Sequence, residues 1–559
     1  MTRHLSLSIL SGILMGFSWP TSGFTPLVFI GLIPILLIED FIIKDNLGKK
    51  NLRIFFYSYV TFLTWNIITT WWIINSSVLG VIFANIINTT LYSSVFILYS
   101  LMKRKLGVNP GIIFLITLWI SFEKFHLNWQ FSWPWLNLGN AFSEKIEWIQ
   151  WYEYTGVFGG SLWVLLSNSS LFLLIRKYDS LNNKNSFIIS AFSRIFLIIL
   201  IPIIISKFII STSIKDNYKV EDQFKVILTQ PNIDPWDAKF VKTNTNLDFF
   251  KVLKDLSEDE LDNQYDFLIA PETYFAEGIG ENVDYFEYTK LSDSINNFLK
   301  RFPNTNFISG ISLYRTYQNQ EKSPTRSANR VRDNVWIDYY NSAINISSSK
   351  PFEVNHKTKL VVGTEFMPYK WILEPLVGNL MVDLGGTIVS KASQPISDLN
   401  VFEHSKKDLK TVPIICYETV YGEFVSSYTK KGGDFITIIS NDAWWGNTAG
   451  HKQLLSYARL RAIENRRYIV RSANSGISSI INHRGEILST LEYGKYGILT
   501  GTAEKVSGKT FYNDYGDFIA RISIFISISM ILIVFFTSKK DDDLTIYSSP
   551  LDSPLRYNS

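Results

Sequence analysis

The sequence predicts an α-helical transmembrane bundle of about eight helices joined to one α/β domain. Three observations support this fold class. Apolar stretches are concentrated at the two ends of the chain, and the segment 216–507 between them is rich in charged residues. Within that segment, short apolar runs typical of buried strands alternate with amphipathic helical patterns. The chain of 559 residues is also too long for one ordinary domain.

Eight apolar stretches are predicted to span a membrane, because about twenty apolar residues cross the hydrocarbon core and shorter stretches can use flanking residues. They cover residues 5–19, 27–38, 54–74, 78–101, 111–122, 158–175, 187–210 and 518–536. We therefore predict a seven-helix N-terminal bundle over 1–212, a C-terminal helix over 518–537 and a disordered polar tail over 538–559. An uncleaved first helix is favoured over a signal peptide, since no convincing small-residue cleavage site follows it.

The short loops predict the orientation of these helices. Lysine and arginine follow the second, fourth, sixth and eighth spans, whereas the alternate loops at 21–26 and 75–77 carry almost none. By the positive-inside rule, both termini are expected in the cytoplasm and the domain 216–507 outside it. The formal net charge of +4 gives no indication of nucleic-acid binding.

The single cysteine of the chain, Cys416, is the first candidate catalytic residue. An apolar strand pattern over 412–415 ends at this residue, and a helical pattern opens at Tyr417 and Glu418. At such an elbow, free backbone N–H groups and the helix N-terminus are expected to favour a thiolate and a negatively charged oxygen. The alternative is that Cys416 is simply a small buried hydrophobic residue.

Two further charged residues follow predicted strands. Glu272 comes directly after a buried strand at 267–270, where α/β enzymes place catalytic groups, although it could also cap a helix. Lys357 precedes an apolar run, and in isolation it would be an exposed surface lysine. Together they suggest that Glu272 is a general base for Cys416, while Lys357 and the Tyr417 backbone N–H stabilise a tetrahedral oxygen. A thioester acyl-enzyme would result.

Two other segments bear on the function. Four tryptophans, Trp133, Trp135, Trp148 and Trp151, lie in a loop flanked by Glu123 and Glu153. This loop is either an aromatic belt at the membrane surface or the lining of an entry path for a lipid-linked substrate. The segment 335–346 is predicted as strand, turn and strand.

Five motifs carry a resemblance to a known family. They are PETYF at 271–275, HKTKLVVGTE at 356–365, ICYE at 415–418, NDAWWG at 441–446 and ARLRAIENRR at 458–467. These motifs resemble those of the carbon-nitrogen hydrolase (nitrilase) superfamily, which implies an α-β-β-α sandwich with a triad of Glu272, Lys357 and Cys416. The membrane helices on both sides, with PWLNLGN and GVFGGSLW, resemble the apolipoprotein N-acyltransferase branch.

The resemblance also implies supporting residues. A second glutamate, eight residues after the lysine, falls on Glu365, and the pair after the cysteine falls on Tyr417 and Glu418. A tryptophan on a mobile arm corresponds to Trp236. Family members usually have Pro-Phe-Gly before the second glutamate, whereas this chain has Val362, Gly363 and Thr364. Trp444, together with Trp445, is a hypothetical shield of the thioester against water.

The function implied by this resemblance is a two-step acyl transfer in the bacterial inner membrane, at a periplasmic site. The donor is a phospholipid such as phosphatidylethanolamine, and the acceptor is the α-amino group of an S-diacylglyceryl-cysteine apolipoprotein. No cofactor, metal or nucleic acid is expected. One alternative is a membrane-anchored amidase or nitrilase that hydrolyses a C–N bond with the same triad, but one anchoring helix would be enough for it. A transporter would show duplicated halves, which the sequence lacks.

Overall fold

The computed structural model describes residues 2–45, 48–178, 184–217, 220–235, 244–377 and 390–546. Its N-terminal part is a bundle of long helices. They are α1 (Thr2–Gly16), α2 (Ile33–Lys44), α3 (Lys50–Thr70), α4 (Val78–Leu106), α5 (Val108–His126), the short α6 (Tyr152–Thr155), α7 (Val157–Arg176), α8 (Lys184–Arg194) and α9 (Ile201–Asn217). A π-helical segment, Ile195–Leu200, joins α8 and α9 into one continuous rod.

A helix is present at each of the eight predicted spans, but only six segments of the described chain are long and apolar enough to cross a membrane. They are Thr25–Lys44, Val78–Leu106, Val108–His126, Val157–Arg176, Asn185–Ser211 and Phe518–Thr537. The predicted number of eight is therefore not met by length and composition. The two predicted spans that are absent from these six correspond to α1 and α3. Helix α1 has 15 residues, which span about 22 Å. Helix α3 contains polar residues, and it buries several of them, such as Thr61, Asn66 and Thr69.

The domain after the bundle contains fourteen strands in the described residues. They are β1 (Val220–Gln230), β2 (Phe267–Ile269), β3 (Glu281–Asn282), β4 (Asn306–Gln318), β5 (Asn329–Arg332), β6 (Val335–Ile346), β7 (Glu353–His356), β8 (Phe402–Glu403), β9 (Lys410–Ile415), β10 (Phe435–Ser440), β11 (Ile469–Ala473), β12 (Ser478–Ile481), β13 (Ile487–Leu491) and β14 (Gly497–Val506). One sheet has the order β14-β1-β2-β4-β6-β5, with β3 beside β4 and β7 beside β6. The other has the order β13-β12-β11-β10-β9-β8.

The two sheets pack face to face. The Phe435 ring on β10 lies 4.3 Å from the Phe224 ring and 5.2 Å from the Phe267 ring of the facing sheet, between ring centroids. Strand side chains alternate between faces, so Ile227 and Leu268 point to the opposite side of that sheet. There they meet α10 (Asn246–Ser257) and α11 (Lys290–Leu299). The predicted α-β-β-α sandwich is thus confirmed.

Five further helices complete the described fold. They are α12 (Lys370–Val377), α13 (Gly422–Lys430), α14 (Ala449–Asn465), α15 (Phe511–Tyr515) and α16 (Phe518–Ile546). Helices α13 and α14 pack with the smaller sheet. Helix α16 ends at Ile546, nine residues past the predicted end of the C-terminal helix at 537. Residues 547–559 lie outside the described part.

Helix α14 holds the sandwich on the bundle. The Gln453 side-chain oxygen accepts hydrogen bonds from the indole N–H groups of Trp72 (3.2 Å) and Trp135 (2.6 Å). Its amide nitrogen donates to the Pro20 carbonyl at 2.8 Å. Gly450 lies so close to Trp72 that a Cβ would meet the ring at 2.6 Å. This helix is buried on nearly all sides, because it packs against both the sandwich and the bundle.

The carboxylates that flank the tryptophan loop have structural partners. Glu123 accepts hydrogen bonds from the Leu138 backbone N–H (2.8 Å) and the Ser161 hydroxyl (2.6 Å). Glu153 pairs with Arg466, just beyond α14, at 2.7 Å. Glu153 therefore links the bundle to the domain, whereas Glu123 joins parts of the bundle to the tryptophan loop.

Replacing Arg466 tests this joint. Arg466→Met leaves Glu153 buried without its cation and removes two hydrogen bonds to Gln150. We expect the free energy of unfolding in detergent to fall by about 3–5 kcal/mol. The matched control is Arg330→Met, because Arg330 pairs with Asp333 on the surface at 2.6 Å. This control should lose no more than about 1 kcal/mol, and equal losses in the two variants would contradict a stabilising role for the buried pair.

Candidate active site

Three strand ends bring Glu272, Lys357 and Cys416 into one cavity. Glu272 lies just beyond β2, Lys357 directly follows β7 and Cys416 directly follows β9. The three residues are 6%, 1% and 7% exposed, and all line a cavity of about 960 Å³. The strands fix the backbone at each position, while their ends open to the cavity.

Lys357 lies between two carboxylates. Its Nζ is 3.0 Å from Glu272 Oε1 and 3.1 Å from Glu365 Oε2. Burial disfavours the charged ammonium, but Glu272 and Glu365 outweigh it and raise the pKa of Lys357 above its usual 10.5. Lys357 is therefore a fixed cation at any physiological pH. An ammonium has three donors, so one N–H remains for a substrate oxygen.

Glu272 is held at both of its oxygens. The Asn341 amide nitrogen donates to Oε1 at 2.7 Å, and the Asn441 backbone N–H donates to Oε2 at 3.0 Å. The same Asn341 nitrogen donates to Glu365 Oε1 at 2.9 Å. These contacts fix the orientation of Glu272 as a proton acceptor would require.

Glu365 reaches the site despite the unusual Val362-Gly363-Thr364 triplet before it. The loop closes by a hydrogen bond from the Gly363 N–H to the Phe366 carbonyl (2.9 Å), with Gly363 at φ +79°, where glycine is favoured. The Val361 N–H then donates to Glu365 Oε2 at 2.8 Å. Burial raises the pKa of Glu365, but Lys357 and Lys391 outweigh it and lower this pKa to about 2.

Cys416 stands at a strained elbow. Its backbone φ is +50°, which is uncommon for a residue other than glycine, and it begins a 3₁₀ turn that leads into α13. Burial and the Glu272 carboxylate raise the pKa of Cys416, while Lys357 lowers it less. The expectation that the elbow favours a thiolate is therefore wrong for the resting protein. A protonated thiol needs a base when it reacts, and Glu272 is the carboxylate beside it.

Glu418 and Tyr417 support the elbow. Glu418 Oε1 accepts from the Thr358 N–H (2.7 Å), and its Oε2 accepts from the Ile415 N–H (2.9 Å), so it ties the lysine strand to the cysteine strand. Burial raises the pKa of Glu418 to about 7, even though these donors favour the charged form. The Tyr417 hydroxyl donates to the Ser132 carbonyl at 3.2 Å. Its ring stacks on Trp133, at 6.1 Å between centroids.

The other predicted residues are tryptophans. Trp236 lies outside the described residues. Trp444 lines the cavity, and its carbonyl accepts a hydrogen bond from the Ser76 hydroxyl at 3.0 Å. Trp445 packs against Trp72 with ring centroids 4.9 Å apart. The NDAWWG turn therefore joins the catalytic cavity to the start of α4.

The bundle also contributes walls to the cavity. One wall consists of apolar residues near the start of α4: Leu79, Ile82, Phe83, Ile86 and Ile87. Trp133 and Trp135 from the tryptophan loop line another part. The catalytic groups thus face a space that is polar on the domain side and apolar on the bundle side.

Asn341, Asn441 and Lys391 are site residues that the sequence-based reasoning did not identify. Lys391 lines the cavity with its Nζ 3.6 Å from Glu365 Oε1. Asn341 lies within the continuous strand β6, so the predicted turn in 335–346 is wrong. Strand β6 also carries Asp338, Ser342 and Asn345, so no signal in the sequence singled out Asn341.

The raised pKa of Cys416 predicts how the free protein is alkylated. Because only the thiolate reacts, the rate of iodoacetamide alkylation should rise about tenfold per pH unit through pH 9 without a plateau. Intact mass measures it unambiguously, since the chain has one cysteine. In Glu272→Gln, loss of the neighbouring negative charge should increase the rate at pH 8. A plateau near pH 7 in the unmodified protein would contradict the protonated resting thiol.

The lowered pKa of Glu365 predicts a stability that depends on pH. Its pKa is about 2 in the folded chain, against 4.5 ordinarily, so its ionised form stabilises the fold above pH 4.5. This contribution is lost as the pH falls towards 2. The difference in unfolding free energy between the unmodified protein and Glu365→Gln should shrink by about 3 kcal/mol over that range. Denaturant titration in detergent measures it, and a difference independent of pH would contradict the charge pairing.

Comparison with known proteins agrees with this geometry. Residues 11–170 match the family model of the apolipoprotein N-acyltransferase N-terminal domain, and residues 325–507 match that of the carbon-nitrogen hydrolases. The apolipoprotein N-acyltransferase of Chlorobaculum tepidum is 24% identical over 94% of this chain and 95% of its own. That of Geobacter metallireducens is 27% identical over 93% and 92%, respectively. The chain therefore belongs to the apolipoprotein N-acyltransferase family of the carbon-nitrogen hydrolase superfamily.

Proposed function

We propose that this protein transfers an acyl chain from a membrane phospholipid, through a thioester on Cys416, to the N-terminal α-amino group of S-diacylglyceryl-cysteine apolipoproteins. The transfer completes lipoprotein maturation. One observation carries the proposal: a Glu-Lys-Cys site opens into a cavity that is also lined by the apolar start of helix α4 and by the tryptophan loop. A purely soluble substrate would not need the apolar wall of α4, so nothing in the site favours the amidase alternative.

In the first half-reaction, Glu272 takes the thiol proton while the Cys416 sulfur attacks the ester carbonyl of the phospholipid. The carbonyl oxygen becomes negative and is stabilised by the remaining N–H of Lys357 and by the Tyr417 backbone N–H. When the intermediate collapses, the C–O bond of the ester breaks. Glu272 returns the proton to the departing lysophospholipid oxygen, and the acyl chain remains on sulfur as a thioester.

In the second half-reaction, the free α-amino group of the lipoprotein attacks the thioester carbonyl. The N–C bond forms, the C–S bond breaks, and Glu272 moves a proton from the amine to the sulfur. Both substrates are anchored in the bilayer, so the membrane restricts them to the height of the cavity. This confinement replaces much of the entropy loss of bringing the two reactants together.

The charges of the bundle support a periplasmic site. The basic C-terminal ends of α2, α4 and α7 lie together, where Asp40 contacts Lys103 (3.0 Å) and Arg176 (2.9 Å). The start of α4, at the opposite end, contacts the catalytic domain through Ser76. Under the positive-inside rule, the basic end is cytoplasmic and the domain lies on the periplasmic side of the bacterial inner membrane, with both termini cytoplasmic.

The first half-reaction can be tested directly. The purified protein, incubated with phosphatidylethanolamine labelled in its acyl chain, should acquire one hydroxylamine-sensitive label on Cys416. Glu272→Gln should slow labelling by roughly 10²–10⁴-fold through loss of the base. Glu287→Gln, which changes an exposed glutamate of the same domain, is the matched control and should label at the normal rate.

Two outcomes would contradict the proposal. Absence of label on the unmodified protein would remove the acyltransferase function. Equal labelling of Cys416→Ser, followed by the same hydroxylamine treatment, would remove Cys416 as the nucleophile.

A further inference from the structure

Lys391 is the charged group of the cavity that a ligand reaches most easily. Among the described residues that line the cavity, the lysines and acids are Glu272, Lys357, Glu365 and Lys391. The side chains of Glu272, Lys357 and Glu365 are only 8%, 1% and 9% exposed, and they pair with one another. The side chain of Lys391 is 21% exposed. A ligand that enters the polar side of the cavity therefore meets a cation.

The Lys391 ammonium keeps donors for such a ligand. Its Nζ lies 3.6 Å from Glu365 Oε1, which is longer than a hydrogen bond between these atoms. That carboxylate already accepts hydrogen bonds from Asn341 (2.9 Å), Lys357 (3.2 Å) and the Val361 N–H (2.8 Å). An ammonium has three N–H donors. Lys391 can thus donate to a bound anion while it still attracts Glu365.

Backbone hydrogen bonds define the position of Lys391. Its N–H donates to the Glu365 carbonyl at 2.7 Å, and the next N–H, that of Ala392, donates to the Tyr339 carbonyl at 2.8 Å. Lys391 is thereby tied both to the loop that carries Glu365 and to strand β6. Its side chain enters the cavity from the catalytic domain, the side opposite in character to the apolar wall of α4.

The distance between the two lysines matches the geometry of a glycerophospholipid. Lys357 Nζ and Lys391 Nζ lie 3.2 Å and 3.6 Å from the same oxygen, Glu365 Oε1, so they are at most about 7 Å apart. In the proposed mechanism, Lys357 stabilises the carbonyl oxygen of the reacting ester. The glycerol joins that ester to the phosphate through a few bonds of about 1.5 Å, which span roughly 5–8 Å. The phosphate of a reacting donor is therefore within reach of Lys391.

We propose that Lys391 binds the phosphate of the acyl donor and makes the first half-reaction selective for phospholipids over neutral lipid esters. The inference rests on the proposed function. With the acyl chain along the apolar wall and the ester at Cys416, the headgroup lies on the polar side, where Lys391 forms a charge-assisted hydrogen bond to a phosphate oxygen. The acceptor carries a cationic α-ammonium when protonated, which this lysine does not attract.

The test compares two donors with the same acyl chains and the same glycerol ester. One is phosphatidylethanolamine, and the other is 1,2-diacylglycerol, which lacks the phosphate. Each is presented in mixed micelles at a low mole fraction, and the initial rate of Cys416 acylation is measured by intact mass. The readout is the ratio of the phosphatidylethanolamine rate to the diacylglycerol rate within one preparation. This ratio does not depend on how much of the protein is folded.

The unmodified protein should give a ratio well above one. Lys391→Met should lower the ratio roughly 10–100-fold, as expected for the loss of one hydrogen bond between charged groups. Lys391→Arg keeps the cation and should keep most of the ratio. Lys290→Met is the matched control, because it removes the same charge from an exposed residue of α11 and should leave the ratio unchanged.

A second readout applies where diacylglycerol labels too slowly to be followed. It is the mole fraction of phosphatidylethanolamine that gives half the maximal acylation rate, and Lys391→Met should raise it roughly 10–100-fold. This value is likewise independent of the folded fraction.

A ratio near one in the unmodified protein would overturn the phosphate contact. So would a Lys391→Met variant that lowers both rates equally, or that leaves the half-saturating mole fraction unchanged, since Lys391 would then serve only as a charge partner of Glu365. Either result, with Cys416 still labelled, leaves the proposed function standing. Absence of label with every donor in the unmodified protein would overturn both.

Discussion

The buried cluster of Lys357 with Glu272 and Glu365 is the interaction on which the site depends. One ammonium contacts two carboxylates within 3.1 Å, Lys391 adds a second positive charge 3.6 Å from Glu365, and the Asn341 amide bridges the same two acids. Replacing Lys357 by a neutral residue would remove the cation that the two buried carboxylates share, which is strongly destabilising. Because the cluster fixes Glu272 beside Cys416, the thiol can remain protonated and inert at rest, yet a base is already in place when a substrate arrives.

The second constraint is the contact between the sandwich and the bundle. Gln453 and Arg466 contact the tryptophan loop and the helix ends, and one continuous hydrophobic core extends through both parts. The cavity exists only because these parts meet there: the domain supplies the polar catalytic wall, and α4 supplies the apolar wall. A reactive thioester is thereby formed next to the lipid phase from which its acyl chain comes.

Much of this organisation could be predicted from the sequence, because its signals are local. The apolar stretches indicated the bundle. The strand ends at Glu272 and Cys416, together with the spaced motifs, indicated the sandwich and the three central residues. Asn341 was not identified, because Asn and Ser in β6 looked like a turn, and only strand pairing shows the segment to be continuous. The raised pKa of Cys416 results from burial by elements that are distant in the sequence. The strand-to-helix pattern around Cys416 carries no information about that burial.

The central claim is that one acyl group passes through the sulfur of Cys416 on its way from phospholipid to lipoprotein. A single-turnover chase tests it most directly. The protein is first loaded with labelled acyl chain, freed of donor, and then mixed with an S-diacylglyceryl-cysteine peptide while both species are followed by mass. The account predicts that label leaves Cys416 at the rate at which it appears as an amide on the peptide N-terminus. Release of the label as free fatty acid, with the peptide unmodified, would contradict it.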